Sequence, residues 1–194
     1  MDIFFTADTH FDHERILVHA RRPFSSVDEM NQALIEKWNG VVGSRDLVYI
    51  VGDFAWTRHG YFQSALNGRK ILIRGDHDKM NQKYLANFSE VYDLKRLSIE
   101  NHPVFLCHWP MRSWPGSARG SWHFYGHSHG TSSEYEDTWS CDVGVDVWNY
   151  QPVPWEVLKA KMSAKREKSL RTAKEMEQAR EESRRKNYEW LRKE

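Results

Sequence analysis

The sequence predicts an α/β fold, and three short apolar runs are the main observation behind this prediction. The runs are "DIFFTAD" (2–8), "DLVYIVGD" (46–53) and "KILIRGDHD" (70–78). Each is rich in β-forming residues and stops at a carboxylate, which is typical of a buried strand that ends at a polar turn. Open α/β sheets bind ligands at the carboxyl ends of their strands, so the aspartates at these ends are candidates for one common site.

A helix is predicted between the first two strands, over "SSVDEMNQALIEKWNG" (25–40). Ser26 and Glu29 have the spacing of a capping box, and Gly40 is placed to end the helix. The apolar side chains that share one face are Met30, Leu34, Ile35 and Trp38. This face is expected to pack against the sheet.

Three further strands are predicted in the second half of the chain. They are "PVFLCH" (103–108), "SWHFYGHSHG" (121–130) and "CDVGVDVWN" (141–149). In an extended chain, side chains two residues apart point to the same face, so His127 and His129 can aim at one place. By the same rule, Val143, Val145 and Val147 are expected on one face of the last strand.

We expect the chain to divide into a domain over residues 1–158 and a charged helical extension over 159–194. Residues 156–194 contain neither Gly nor Pro, and Glu167 and Arg171 are one of several acidic and basic pairs at helical spacing. The extension carries 13 Lys or Arg and 7 Asp or Glu, a charge of +6, while the rest carries 15 and 20, a charge of −5. We interpret it as a long solvated helix partly packed on the domain. Self-association and nucleic-acid binding through this helix are the less favoured alternatives.

Composition and the N-terminus predict the cellular setting. Two cysteines are too few for a disulfide framework, and the first residues lack the order of a signal peptide. No apolar run approaches the roughly 20 residues that cross a bilayer. We therefore expect a cytoplasmic protein that does not span a membrane.

Side chains that bind metals follow five of the predicted strands. They are Asp8, His10, Asp53, Asp76, His108, His127 and His129. Mixed Asp and His ligation suits divalent Mn, Fe, Zn or Ni, of which manganese is favoured here. Seven ligands are too many for one ion, whereas two ions that share a carboxylate would use them all. Two divalent ions roughly 3.5–4 Å apart promote in-line displacement at phosphorus, so the set indicates phosphoester chemistry.

The order and spacing of these residues resemble the calcineurin-like metallophosphoesterase family. The blocks are "DTH" (8–10), "GD" (52–53), "GDHD" (75–78), "H" (108) and "GHSH" (126–129). The family pattern is D-x-H, G-D, G-N-H-D or E, H, and G-H-x-H, in the same order. The match spans residues 8–129, about two thirds of the chain. The resemblance implies a four-layer α/β/β/α sandwich of two mixed sheets, with metals held by the loops at one end.

The resemblance also implies a role for each site residue. One ion would be held by Asp8, His10 and His129, the other by Asp76, His108 and His127, and Asp53 would bridge them. A hydroxide between the ions would attack phosphorus, while His77 would bind the substrate phosphate and protonate the leaving oxygen. Asp78 would orient the His77 imidazole and raise its basicity.

One position departs from the family pattern, because Asp76 stands where the family has Asn. A carboxylate oxygen can still bind a cation, and should do so at least as tightly as an amide oxygen. The extra negative charge is expected to raise the pKa of bound water and to repel the incoming phosphate. We therefore expect retained metal binding at a less electrophilic site.

These observations predict a metal-dependent phosphoesterase acting on small, nucleotide-like phosphodiesters or phosphomonoesters in an open cleft. Arg112 is the candidate substrate contact, because a guanidinium matches phosphate oxygens. His13 and "RRPF" (21–24) are expected near the rim. Two alternatives stay open. A nuclease acting on DNA or RNA is favoured by the basic tail and opposed by the acidic body. A non-catalytic metal-binding scaffold of the same fold is opposed by the presence of His77.

Overall fold

The computed structural model describes residues 1–56, 60–78, 82–132 and 139–191, and nine strands lie within them. In chain order these are β1 (Ile3–Thr6), β2 (Leu47–Val51), β3 (Arg69–Ile73), β4 (Glu90–Tyr92), β5 (Leu94–Ile99), β6 (His102–Cys107), β7 (Trp122–Tyr125), β8 (Ser140–Asp142) and β9 (Val153–Pro154). The first sheet has the order β4-β3-β2-β1-β9, in which only β9 is antiparallel to its neighbour. The second has the order β5-β6-β7-β8, in which only the β5–β6 pair is antiparallel. Both sheets are mixed, as predicted.

Helices connect and flank these strands within the same described ranges. They are α1 (Ile16–His19), α2 (Val27–Val41), α3 (Tyr61–Ala65), α4 (Gln82–Leu85) and α5 (Trp155–Leu191). Two short 3-10 helices cover Ser117–Arg119 and Val145–Val147.

The predicted helix at residues 25–40 is confirmed as α2, with one change at its cap. Ser26 Oγ accepts a hydrogen bond from the Glu29 backbone N–H at 3.2 Å. The Glu29 carboxylate returns to the backbone N–H of Ser25, at 2.7 Å, rather than to that of Ser26. The helix continues to Val41, one residue beyond Gly40.

Two apolar cores hold the layers together. The core between the sheets contains Phe5 and Ile71 from the first sheet and Leu106 and Phe124 from the second, with Leu158 of α5 packed against them. A second core joins the outer face of the first sheet to α2 and other flanking segments. On the outer face of the second sheet, buried side chains of β6 pack against the segment 109–121. The α/β sandwich of two mixed sheets is thereby confirmed.

The predicted strand over residues 141–149 is wrong beyond Asp142. The chain turns there, because Gly144 N–H donates to Asp142 Oδ1 at 2.7 Å, and a 3-10 helix follows at Val145–Val147. Val145 is buried whereas Val147 is 42% exposed, so these valines do not share a face. The alternating valines lie in a turn and a 3-10 helix, where Val143 and Val145 are buried and Val147 is not.

The long C-terminal helix is present as α5, which begins at Trp155 and is about 55 Å long at 1.5 Å per residue. Trp155, Leu158 and Met162 are buried against the domain, while most of the described side chains after Met162 are exposed. The side chain of Arg171, the predicted partner of Glu167, lies outside the described side chains. Among the described helices, none is both long enough and apolar enough to cross a membrane.

Candidate metal centre

All seven predicted metal ligands meet at one end of the sandwich. They lie in the loops that follow the carboxyl ends of β1, β2, β3, β6 and β7. The structure places one potential ligand atom from each of Asp8, His10 and His129 within 4.8 Å of one another, and does the same for Asp76, His108 and His127. These are the two sets that the resemblance implied. Below they are called the first and the second ligand group.

Asp53 lies between the two ligand groups. Its Oδ2 is 3.5 Å from Nε2 of His10, in the first group, and 3.4 Å from Nε2 of His108, in the second. Its Oδ1 accepts a hydrogen bond from the backbone N–H of His77 at 2.9 Å. One carboxylate oxygen is therefore fixed by the loop, and the other faces both groups.

Three buried atoms of the site have no hydrogen-bond partner among the described residues. They are Asp8 Oδ2, His10 Nε2 and His108 Nε2. Buried polar atoms are nearly always hydrogen-bonded, so three such atoms at one place indicate a missing partner. Carboxylate oxygens and imidazole nitrogens are ligands for divalent transition metals. The donor set therefore fits divalent cations.

Two of the ligand imidazoles are oriented through the nitrogen that faces away from the centre. His108 Nδ1 lies 2.9 Å from the backbone oxygen of Val51, and His129 Nδ1 lies 2.7 Å from Asp146 Oδ2. Such contacts fix the ring and its tautomer, leaving Nε2 for the cation. None of the five motif blocks in the sequence predicted that Asp146 belongs to the site.

The five left-handed residues of the site show that its loops are held in an unusual conformation. Positive φ angles occur at Asp8 (56°), His10 (49°), Asp53 (54°), His127 (69°) and His129 (47°). Residues with side chains adopt this conformation at an energetic cost, and such strain concentrates at functional sites. The backbone thus sets the ligand directions.

The glycines of the two "GD" pairs allow the loops to approach one another. A Cβ atom on Gly52 would lie 2.2 Å from His108 Nδ1, and one on Gly75 would lie 2.3 Å from Asp53 Oδ1. Both distances are shorter than any non-bonded contact. A side chain at either position would therefore displace a ligand.

Comparison with known proteins gives matches that extend over most of the chain. The chain is 33% identical over 166 residues to the uncharacterized protein MJ1445 of Methanocaldococcus jannaschii, covering 80% of this chain and 88% of that one. The fold of the present chain resembles the crystal structure of AQ665 from Aquifex aeolicus, a protein of unknown function. The TM-score is 0.69 and the sequence identity 24%, and the match covers 82% of this chain and 98% of AQ665. A structure described as a novel archaeal phosphodiesterase matches with a TM-score of 0.43 and 21% identity, covering 74% of this chain and 84% of that one.

No protein-family model matches the chain. The five blocks "DTH", "GD", "GDHD", "H" and "GHSH" nevertheless occur in the family order, and this fold gathers them into two ligand groups. The chain belongs to one family with MJ1445, and its five blocks and two mixed sheets resemble those of the calcineurin-like metallophosphoesterases.

A buried ion pair supports the first ligand group. The Arg22 guanidinium makes two hydrogen bonds to Asp146, of 2.8 and 2.9 Å, and one to the backbone oxygen of Asp8, of 2.5 Å. Arg22 was expected near the rim, but it is 4% exposed and lies beneath the centre. Burial would raise the pKa of Asp146, but His129 and Arg22 lower it below its usual range. Asp146 therefore stays ionised beside His129.

Replacing this buried carboxylate tests its structural and metal-positioning roles together. We expect Asp146→Asn to destabilise the fold by about 3–5 kcal/mol, because it leaves the Arg22 charge buried without a partner. We also expect manganese affinity to fall by about 10- to 100-fold, because His129 loses its orienting contact. Urea unfolding and manganese titration measure the two effects. Asp93→Asn is the matched control, because Asp93 pairs with Arg74 at the surface. Equal losses of stability and of manganese affinity in the two variants would contradict these roles of Asp146.

Raised pKa values at two candidate ligands oppose the binding of a cation. Burial raises the pKa of Asp8 to about 7. Burial lowers the pKa of His108, but Asp53 and Asp8 outweigh it and raise the value to about 9. A bound cation needs an ionised carboxylate and a neutral imidazole. Protons therefore compete with metal at this centre.

The prediction that Asp78 orients the His77 imidazole is wrong. Asp78 is buried, and its Oδ2 accepts hydrogen bonds from the backbone N–H groups of Asp53 (2.7 Å) and Gly75 (2.9 Å). Its Oδ1 accepts from the backbone N–H of Phe54 and the Tyr84 hydroxyl, both at 3.0 Å. Each oxygen thus has two other donors. Asp78 ties the loop after β2 to the loop after β3.

An open cleft of about 710 Å³ lies over the ligand groups. Among the described residues it is lined by His10, Asp12, His13, Glu14, Arg15, Ile16, His19, Asp53, Trp56, His77, His127 and His129. Arg112, the predicted substrate contact, is exposed and is not part of this lining. His13 is at the cleft as expected, with its ring stacked on Trp56 at 4.4 Å and its Nδ1 3.1 Å from Nδ1 of the ligand His10.

Proposed function

We propose that this protein is a metal-dependent phosphoesterase that hydrolyses nucleotide-like phosphodiesters or phosphomonoesters with two divalent ions, manganese being the favoured metal. The observation that supports this most directly is the position of Asp53 between the two ligand groups, beneath an open cleft. Asp8, His10 and His129 would hold one ion, and Asp76, His108 and His127 the other. When bound, such a pair of ions lowers the pKa of water and neutralises phosphoryl charge.

His77 is the residue of this cleft best placed to handle a proton. It lines the cleft, its side chain is 39% exposed, and its Nε2 lies 3.9 Å from Asp53 Oδ2. The hydrogen bond from its backbone N–H to Asp53 holds it beside the shared carboxylate without using the imidazole. The ring can therefore donate a hydrogen bond to a phosphoryl oxygen and give a proton to the leaving oxygen.

Asp76 offers a test of how ligand charge tunes the site. Its side chain is 48% exposed, and its Oδ2 lies 3.5 Å from His127 Nδ1. We expect Asp76→Asn to raise phosphate affinity or metal-dependent turnover by about two- to five-fold, because it removes a negative charge near the incoming phosphate. Inhibition by inorganic phosphate and initial rates with an aromatic phosphodiester measure this. If neither quantity rises, charge repulsion by Asp76 does not limit the reaction.

The experiment that tests the proposed function is a screen of phosphorylated compounds with added Mn²⁺. Monoesters, cyclic diesters and linear diesters are compared, each with a chelator control and with the His77→Ala variant. Chelator-sensitive turnover that depends on His77 supports an enzyme. Bound metal without turnover of any compound would instead support the scaffold alternative.

A nuclease is the second candidate, and the +6 charge of residues 159–194 is the feature that favours it. Removing the chain after Met162 separates this contribution, because Met162 is the last of the described side chains of α5 that is buried. Loss of nucleic-acid affinity in the truncated protein would support the nuclease. A change of oligomeric state would instead assign the helix to self-association.

A further inference from the structure

The cleft is larger than one phosphate group requires. Its volume is about 710 Å³, and cavities of roughly 300–1,000 Å³ enclose ligands the size of a cofactor or a drug. Beyond the metal ligands, one wall follows the segment from Asp12 to His19, which includes α1. A substrate that fills the cleft therefore extends from the metal centre along this wall.

Arg15 supplies permanent positive charge on that wall. Its side chain is exposed, and among the described residues it has no carboxylate within 4.0 Å and no side-chain hydrogen bond. Arg22, only seven residues later, is buried, and its Nε and Nη2 donate hydrogen bonds to the Asp146 carboxylate. A guanidinium binds phosphate oxygens in a bidentate manner, so the unpaired Arg15 has donors to offer a ligand in the cleft.

The neighbouring groups leave Arg15 available. Oδ1 of the Asp12 carboxylate accepts a hydrogen bond from Asn31 Nδ2 at 2.7 Å. Glu14 is exposed beside Arg15, and His19 lines the same wall. The ring of His13, which is stacked on Trp56, adds a flat aromatic surface to the cleft. An aromatic surface next to a cationic side chain suits a nucleoside phosphate.

We propose that Arg15 binds a second phosphate group of the substrate, beyond the phosphate that is attacked at the metal centre. The cleft then selects extended nucleotides that carry at least two phosphates. This inference rests on the proposed function, because that function places the first phosphate at the metal centre. Arg15, rather than Arg112, becomes the specificity-determining arginine.

Equilibrium binding to the manganese-loaded protein tests this directly. The probes are AMP, with one phosphate, the non-hydrolysable α,β-methylene-ADP, with two phosphorus groups, and a short single-stranded oligothymidylate. Titration calorimetry with each probe compares the wild type with Arg15→Ala and Arg15→Lys. Arg45→Ala is the matched control, because Arg45 is exposed in the turn before β2, at the opposite end of the first sheet.

We expect the wild type to bind α,β-methylene-ADP more tightly than AMP, and Arg15→Ala to reduce this preference by about 10- to 100-fold. Arg15→Lys should retain part of the preference, and Arg45→Ala all of it. Oligothymidylate bound at least as tightly as α,β-methylene-ADP, with the same dependence on Arg15, assigns the second phosphate to a nucleic-acid strand. Weaker binding of the oligothymidylate assigns it to a small nucleotide.

The proposal is overturned if Arg15→Ala lowers the affinities for AMP and α,β-methylene-ADP equally, or changes neither affinity. The preference is read from binding and the proposed function from turnover, so either can fail without the other. A wild type that shows the Arg15-dependent preference but hydrolyses no phosphoester would reject the proposed function and keep the inference. A wild type that hydrolyses phosphodiesters without this preference would support the proposed function and reject the inference.

Discussion

Asp53→Asn should lower manganese affinity by at least about 100-fold and remove metal-dependent hydrolysis with it. Asp53 Oδ2 faces one imidazole of each ligand group, at 3.5 Å from His10 Nε2 and 3.4 Å from His108 Nε2. An amide in its place keeps the shape but loses the charge that two cations would share. Replacing groups that merely orient a ligand already costs 10- to 100-fold in metal affinity, so loss of the shared ligand should cost more.

The matched control for this experiment is Asp28→Asn, in the first turn of α2. Asp28 is exposed and undergoes the same loss of charge far from the cleft. Manganese content after gel filtration and initial rates with an aromatic phosphodiester are the two measurements. An Asp53→Asn protein that keeps both manganese equivalents would show that the carboxylate is not shared.

His77→Ala should lower turnover by about 10²- to 10⁴-fold while leaving manganese content unchanged. His77 belongs to neither ligand group, and its imidazole is 39% exposed at the cleft. Its loss therefore removes a proton donor without removing a metal ligand. Because the side chain is partly exposed, the free energy of unfolding should change little.

Three measurements separate this role of His77 from other roles. Turnover, metal content and the urea midpoint are compared with those of the wild type. Unchanged turnover would move the proton donor to another group of the cleft. Loss of turnover together with loss of manganese would make His77 a ligand or a structural residue.

Local sequence signals predicted the strands that carry the site and the identity of the residues that meet there. The runs before Asp8, Asp53 and Asp76 are apolar because β1, β2 and most of β3 are buried. Such apolar runs can be recognised in the sequence. The charged strands β4 and β5 were not predicted. Their residues are largely half-buried or exposed, so hydrophobic runs do not mark them.

The residues that support the site could not be found in the same way. Arg22 and Asp146 are 124 positions apart and lie in no shared motif, so only the folded chain reveals their contact. Asp78 was expected to orient His77 because the resemblance to the family implied it. The turn instead directs the Asp78 carboxylate into the protein, towards Asp53 and Tyr84. Sequence adjacency does not predict side-chain direction in a turn.

Arg112 and Arg15 illustrate a related limit. Arg112 lies between two ligand blocks in the sequence, yet it is exposed outside the cleft lining. Arg15 follows the first block closely and lines the cleft, but an isolated arginine carries no sequence signal for phosphate. The choice between them depends on the path of the loop after β1.

The most direct test of the account is a manganese-soaked crystal examined by anomalous scattering at the manganese edge. Two peaks roughly 3.5–4 Å apart are expected, both within bonding distance of the Asp53 carboxylate, one beside His10 and His129 and the other beside His108 and His127. Full manganese occupancy at positions that Asp53 does not touch would contradict a shared two-metal centre.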